Sequence, residues 1–274
     1  MPRTLLTIAG FDPSSGAGIT ADLKVFAAFG AFGVACPTAF TVQSTQSVQR
    51  VEAVSPELVR DTLACLSDDI AMDGVKIGML AEAALLRAVV AWLREYRRLF
   101  PLAPVVLDPV LLSSSGRRLL AEEALPLLRS ELLPLVSVVT PNLAEAAQLA
   151  GIPVGDRESA EAAAGAIREQ MGPDGAVVVT GGHMSGMDGR PMPEDLLLPS
   201  QGRMTWVPGA WVDTSSTHGT GCAFSSALTA GLAQGLPLPD AVRGAKRYVE
   251  GALRAAYPVG KGNGPMHHLY TLHD

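Results

Sequence analysis

The run Ser215-Ser216-Thr217-His218-Gly219-Thr220-Gly221-Cys222 carries residue types suited to chemistry on an anion. It is a glycine-bearing turn that opens directly into Ala223-Phe224-Ser225-Ser226-Ala227-Leu228, an apolar, helix-competent stretch. The first turn of a helix holds N–H groups with no intrahelical partner, at the positive end of its dipole. Glycines let the backbone approach a ligand closely, so such a turn can hold a phosphate. Cys222 falls at the mouth of that helix, where a thiol pKa can be lowered and chemistry on a phosphate would occur. An ordinary capped turn could show the same residues, so this run alone leaves both readings open.

The elements around it must form a rim. Short apolar runs predict strands at Leu5–Ile8, Val34–Val42, Val75–Ile77, Val105–Leu107, Val136–Val139 and Ala176–Val179. Segments of helical period predict helices at Gly16–Phe29, Pro56–Asp68, Ala81–Arg98, Gly219–Gln234 and Pro239–Ala256. This alternation implies βαβ units and a parallel sheet with helices on both faces. Gly186–Arg203, rich in Gly, Pro, Met and Asp, breaks the pattern and reads as a hairpin or flexible loop, with 186–193 a candidate lid. No linker or repeat divides the chain, so residues 1–274 are read as one domain.

In open α/β sheets ligands bind beyond the carboxyl ends of the strands. The polar punctuation falls there: Gly10–Gly18, Gln43-Ser44-Thr45, Gly78-Met79, Asp108-Pro109-Val110, Thr140-Pro141-Asn142 with Glu145, and Gly181-Gly182-His183. Gly16-Ala17-Gly18-Ile19-Thr20-Ala21 imitates a dinucleotide fingerprint, but Gln43-Ser44-Thr45 stands where a ribose-binding acid belongs. Gly260-Lys261-Gly262 lacks the remainder of a Walker A loop. Asn142 and Glu145 share one helix face and could hold Mg²⁺ through waters beside a polyphosphate. Their spacing is also that of a capping box, and spacing alone favours capping. Asp108 reads equally as a turn-former before Pro109, and His218 as a turn residue.

The formal charge of −6 and the lack of a basic run argue against nucleic acid as a partner. The N-terminal apolar run is too short for a signal peptide, and no stretch is long enough to span a bilayer. Three scattered cysteines fit free thiols in a reducing cytoplasm, with Cys36 and Cys65 expected in the core.

Together these motifs resemble the hydroxymethylpyrimidine/phosphomethylpyrimidine kinases of the ribokinase-like superfamily. The resemblance runs from Leu6 to about Leu269 and rests on Ala9–Ile19, Ala21-Asp22-Leu23-Lys24, Gln43-Ser44-Thr45, Lys76–Leu80, Asp108-Pro109-Val110, Thr140-Pro141-Asn142, Gly181-Gly182-His183, Thr217–Cys222 and Gly260–Pro265. It implies a three-layer α/β/α fold with a mostly parallel central sheet. It also implies transfer of the ATP γ-phosphoryl group to 4-amino-5-hydroxymethyl-2-methylpyrimidine and then to its monophosphate, with Mg²⁺, in a cytoplasmic homodimer. By the same resemblance, Cys222 activates the substrate hydroxyl, where sugar kinases carry an aspartate, and Gly219, Thr220 and Gly221 form an anion hole. Gln43 would read the pyrimidine edge, with Gly10, Asp22, Met79 and Val110 shaping the pocket. Asn142, Glu145, Thr217 and His218 would lie at the ATP phosphates, and Asp108 with Glu145 would face Mg²⁺.

Two positions depart from the pattern: Thr180 stands where many members have a lysine, and Ser44 replaces an asparagine. The first bears on phosphate contacts and on the second transfer. A pyridoxal or pyridoxine kinase of the same branch is the alternative reading, and a non-catalytic vitamin-binding protein a third.

Overall fold

The computed structural model describes residues 1–113, 116–181 and 193–272. Gly182 and His183 of the rim, and residues 186–192 of the candidate lid, lie outside these.

The strands are β1 (Thr4–Phe11), β2 (Phe32–Gln43), β3 (Val48–Ala53), β4 (Gly74–Ile77), β5 (Val105–Leu107), β6 (Val138–Val139), β7 (Ala176–Val179), β8 (Asp195–Leu198) and β9 (Thr205–Val207). They form one sheet in the order β3-β2-β1-β4-β5-β6-β7-β8-β9. From β2 to β7 every pairing is parallel, while β3, β8 and β9 run antiparallel to their neighbours.

The central strands are apolar throughout because both faces are covered. On β5, Val105 and Leu107 face a core shared with Leu63, Leu85 and Ile167, whereas Val106 faces a core shared with Ala223, Leu228 and Val242. The first core belongs to α2 (Pro56–Asp69), α3 (Ala83–Leu99), α4 (Leu125–Leu127, set in a helical stretch over 122–135), α5 (Leu143–Ala150) and α6 (Arg157–Glu169). The second belongs to α1 (Gly18–Ala28), α7 (Thr220–Ala233) and α8 (Leu238–Arg254). This is the expected three-layer α/β/α arrangement with a mostly parallel sheet.

Two expectations need correction. The sequence reading starts β6 at Val136, but a 3₁₀ turn over Leu133–Leu135 ends there and pairing begins at Val138. Cys36 is buried, whereas Cys65 is exposed. On α2 the inward positions are Val59 and Leu63, and residue 65 turns to the opposite side. The hairpin reading of 186–203 holds for β8, which pairs with β7 and with β9, a strand not anticipated.

From β1 the chain steps to β2 on one side, and β4 to β7 extend on the other. The order therefore reverses at the β1/β4 boundary, the place where open α/β sheets form their ligand crevice beyond the strand ends. Helix α7 packs on β4, β5 and α1, which brings its N-terminus to that crevice.

Candidate active site

Asp12 organises the loop after β1. Its buried carboxylate accepts from the N–H of Ser14 (2.8 Å), Gly16 (3.2 Å) and Ala17 (2.9 Å) and from the Ser14 hydroxyl (2.7 Å). Burial alone would raise its pKa, but the bonds with His218 and Ser14 outweigh burial and hold it below the ordinary carboxylate value. The His218 ring comes to the same carboxylate, with Nε2 at 2.8 Å from Oδ2. That nitrogen also lies 3.1 Å from the amide Nε2 of Gln43, at the end of β2. Residue 16 has to be glycine here, since a Cβ would sit 2.3 Å from the His218 ring. The His218 backbone N–H donates to the Gly264 carbonyl at 3.1 Å. With Nε2 and the backbone N–H both engaged, His218 fastens three segments together.

The next residue opens α7. Gly219 is the N-cap, at φ 82°, and no side chain among the described residues caps the helix. A Cβ at 219 would fall 1.9 Å from the Gly16 carbonyl oxygen, so only glycine fits this entry. The first turn, Thr220-Gly221-Cys222, thus presents N–H groups that no side chain has claimed, as an anion site requires. Thr217 is exposed on the approach to it.

Beneath this turn lies a buried charged pair that the sequence reading did not assign. Lys76 Nζ sits 2.9 and 3.0 Å from the two Asp22 oxygens, and neither side chain is exposed. Asp22 also accepts from Thr7 Oγ1 (2.6 Å) and Ser226 Oγ (2.7 Å). Saturated and fully buried, Asp22 does not line a ring pocket as expected; it holds Lys76 and anchors α7 through Ser226. Burial disfavours the Lys76 cation, but Asp22, Cys222 and Asp108 outweigh burial and raise its pKa, so it stays charged. A lysine inside the otherwise apolar run Gly74-Val75-Lys76-Ile77 was the signal available in the sequence.

The Cys222 thiol lies beside the Gly18 N–H and the Asp108 carboxylate, both of which act on its electrostatics. Its pKa is not lowered, as the helix-mouth position suggests, but pushed up to about 12, chiefly by burial. Lys76 and the Gly18 N–H oppose this shift, while Asp108 and Asp22 add to it. Desolvation and two carboxylates therefore outweigh the helix end. Asp108 is 5% exposed and receives the Ser225 hydroxyl at 3.4 Å. Burial raises its pKa, Lys76 opposes this, and Asp22 reinforces it.

Asn142 and Glu145 do form a capping box at the start of α5: the Asn142 N–H donates to Glu145 Oε2 and the Glu145 N–H to Asn142 Oδ1, each at 3.0 Å. Glu145 Oε1 also accepts the Leu111 N–H at 3.2 Å. Burial and the nearby Asp108 charge push the Glu145 pKa up to about 7. The box therefore does not exclude a second role. Two buried carboxylates, with Asp108 raising the pKa of Glu145, suit a divalent cation, so this pair fits Mg²⁺. Among the described residues no three His, Cys, Asp or Glu side chains group as a metal site, so phosphate oxygens and water would complete the shell.

On the other wall Gly10 packs against Met79, whose Sδ would meet a Cβ at 3.1 Å. Val110 has φ 33°, a left-handed conformation that strains a β-branched residue. Strain of this kind is found at ligand clamps. Thr180 bonds to the Pro141 carbonyl and carries no charge to this strand end. Lys246 of α8 stands near it, paired at 2.8 Å with Asp195, which also accepts the Gly181 N–H.

A parallel sheet with a crevice at its order reversal, and an uncapped, glycine-led helix entering that crevice, define a ribokinase-like phosphotransferase. The family model for phosphomethylpyrimidine kinase matches residues 12–267, and the chain belongs to that family. The hydroxymethylpyrimidine/phosphomethylpyrimidine kinase of Escherichia coli is 42% identical over 268 residues, 97% of each chain. The ADP complex of Bacillus subtilis pyridoxal kinase matches with a TM-score of 0.87 and 30% identity over the whole of both chains. A phosphomethylpyrimidine kinase of Clostridium difficile matches with a TM-score of 0.77 and 33% identity, over 90% of this chain and 98% of that one. The chain is accordingly an ATP-dependent kinase. Among the described residues no helix is long and apolar enough to cross a membrane.

Proposed function

We propose that the chain transfers the γ-phosphoryl group of ATP to the hydroxymethyl group of 4-amino-5-hydroxymethyl-2-methylpyrimidine, and a second one to the resulting monophosphate. The observation that carries this reading is the uncapped first turn of α7 with Cys222 in it, facing the crevice beside Gln43. Phosphoryl transfer depends mainly on positioning and on stabilising charge spread over the moving oxygens. The N–H groups of Gly219, Thr220, Gly221 and Cys222 supply that stabilisation, with Thr217 beside them. Cys222 takes the proton of the attacking hydroxyl as its own thiol proton passes to Asp108 beside it, whose charge returns when that proton is lost to solvent. Gln43 reads the ring edge, and Gly10, Met79 and Val110 shape the cavity for a flat heteroaromatic. Asn142 lies at the ATP phosphates, where Glu145, with the charge of Asp108 beside it, would hold Mg²⁺. Bound there, Mg²⁺ supplies neutralisation of phosphate charge.

The fit to a pyridoxal kinase over the full chain supports a second reading in which pyridoxal or pyridoxine is also phosphorylated. ADP release with each alcohol separates the two. Rapid turnover of pyridoxal with none of the pyrimidine would overturn the first. Gln43→Ala should raise KM for the alcohol about tenfold while kcat changes by a few-fold; an unchanged KM would remove Gln43 from the pocket. A cytoplasmic homodimer belongs to the same reading. Exposed Phe40 and Val42 on β2 support the dimer, and sedimentation velocity tests it.

A further inference from the structure

The contact between His218 and Gln43 contains a conflict of donors, and resolving it assigns His218 a role. His218 Nε2 lies 2.8 Å from Asp12 Oδ2. A carboxylate only accepts hydrogen bonds, so that ring nitrogen carries the proton. Gln43 Nε2 lies 3.1 Å from the same nitrogen, yet an amide NH2 only donates, and a protonated ring nitrogen has no lone pair for it. The two ends of an amide have the same shape and are told apart by their partners. The end that faces His218 is therefore the carbonyl oxygen, which shares the Nε2 proton with Asp12.

This orientation is held from several directions. Asp12 is fixed by three backbone N–H groups and the Ser14 hydroxyl. The His218 ring is packed on Gly16 with no room for a Cβ, and its backbone is tied to Gly264. Gln43 is half-buried, and among the described residues no other group bonds to its amide.

We infer that Asp12 and His218 lock the Gln43 amide with its oxygen turned away from the crevice and its NH2 turned into it, so that position 43 offers N–H donors and selects ring substrates with an unprotonated acceptor nitrogen at that edge. His218 is then a positioning residue for substrate recognition. The inference rests on the reading that Gln43 faces the substrate ring.

Two measurements test it. The first needs no substrate: ring ¹⁵N shifts of His218 in the free protein should show a protonated Nε2. A bare Nε2 overturns the lock, whatever the enzyme acts on. The second is calorimetric binding of the pyrimidine alcohol and of analogues in which each ring nitrogen in turn is replaced by C–H. In the wild type one replacement should weaken binding tenfold or more. In His218→Leu the parent alcohol should bind about tenfold weaker and that discrimination should vanish, with KM for ATP little moved. His218→Gln, whose NH2 can donate to Asp12 and to Gln43, should recover most of the loss. Equal binding of all analogues by the wild type, or full discrimination in His218→Leu, overturns the inference. Failure of the wild type to bind any of these alcohols, with Nε2 protonated, removes the proposed substrate instead and with it the role in selection.

Discussion

Cys222 is the residue on which the chemistry converges, and its neighbours explain why it is a guarded base. Burial and two carboxylates keep its proton on, while Lys76 and the Gly18 N–H stabilise the charge it acquires during transfer. A group acting mainly in the transition state shows its loss in turnover, and general-base catalysis contributes roughly 10²–10⁴-fold. Cys222→Ala should therefore lower kcat by about a hundredfold or more and change KM for the alcohol by a few-fold, as steady-state kinetics will show. Full activity in that variant would remove Cys222 from the reaction. Lys76 has a separate, structural consequence. Lys76→Met leaves Asp22 buried and unpaired, which should cost about 3–5 kcal/mol in denaturant unfolding. Adding Asp22→Asn should restore part of that loss, because no uncompensated charge then remains.

At the scale of elements, the entry to α7 is set by backbone conformation. Gly219→Ala meets both a positive φ and the Gly16 carbonyl, so α7 must shift. Displacements of about 1 Å can cost a hundredfold in rate, so kcat should fall at least tenfold. Gly235 is the control at the other end of α7: its φ is 87°, but nothing lies within 4 Å of an added Cβ. Gly235→Ala should cost about 1–2 kcal/mol of stability and leave turnover within twofold. The same contrast shows what a sequence reveals. Strands β5 and β7 are continuous apolar runs and can be located to the residue, whereas β3, with exposed residues along most of its length, carries no such signal. The Gly-Thr-Gly-Cys turn, Gln43, Asp108 and the Asn142–Glu145 spacing are all visible in one dimension. What they touch is not. His218 meets Asp12 across 206 positions and Lys76 meets Asp22 across 54, and nothing local encodes either pairing. The thiol pKa is invisible in the sequence for the same reason, since the burial that raises it and the charges around it come from distant segments.

For the whole molecule, closure depends on the C-terminal segment folding back over the loop after β1. His268 joins them, with Nε2 3.2 Å from the Gly16 carbonyl, and burial lowers its pKa from 6.5 to about 4. A group kept neutral by the fold binds more protons when unfolded between these values, so its contribution is present above pH 6.5 and lost as pH falls toward 4. The full loss is about 3 kcal/mol. His268→Gln, which keeps an N–H donor but does not titrate, should flatten the pH dependence of unfolding in that window, measured by denaturant titration. An unaltered slope would mean that His268 is not the group responsible. The account as a whole is tested most directly by product analysis of the purified chain with ATP, Mg²⁺ and the pyrimidine alcohol. Expected is a monophosphate that converts to the diphosphate, with two ADP formed for each alcohol consumed. No ADP release with the pyrimidine, under conditions where pyridoxal is phosphorylated, would contradict it.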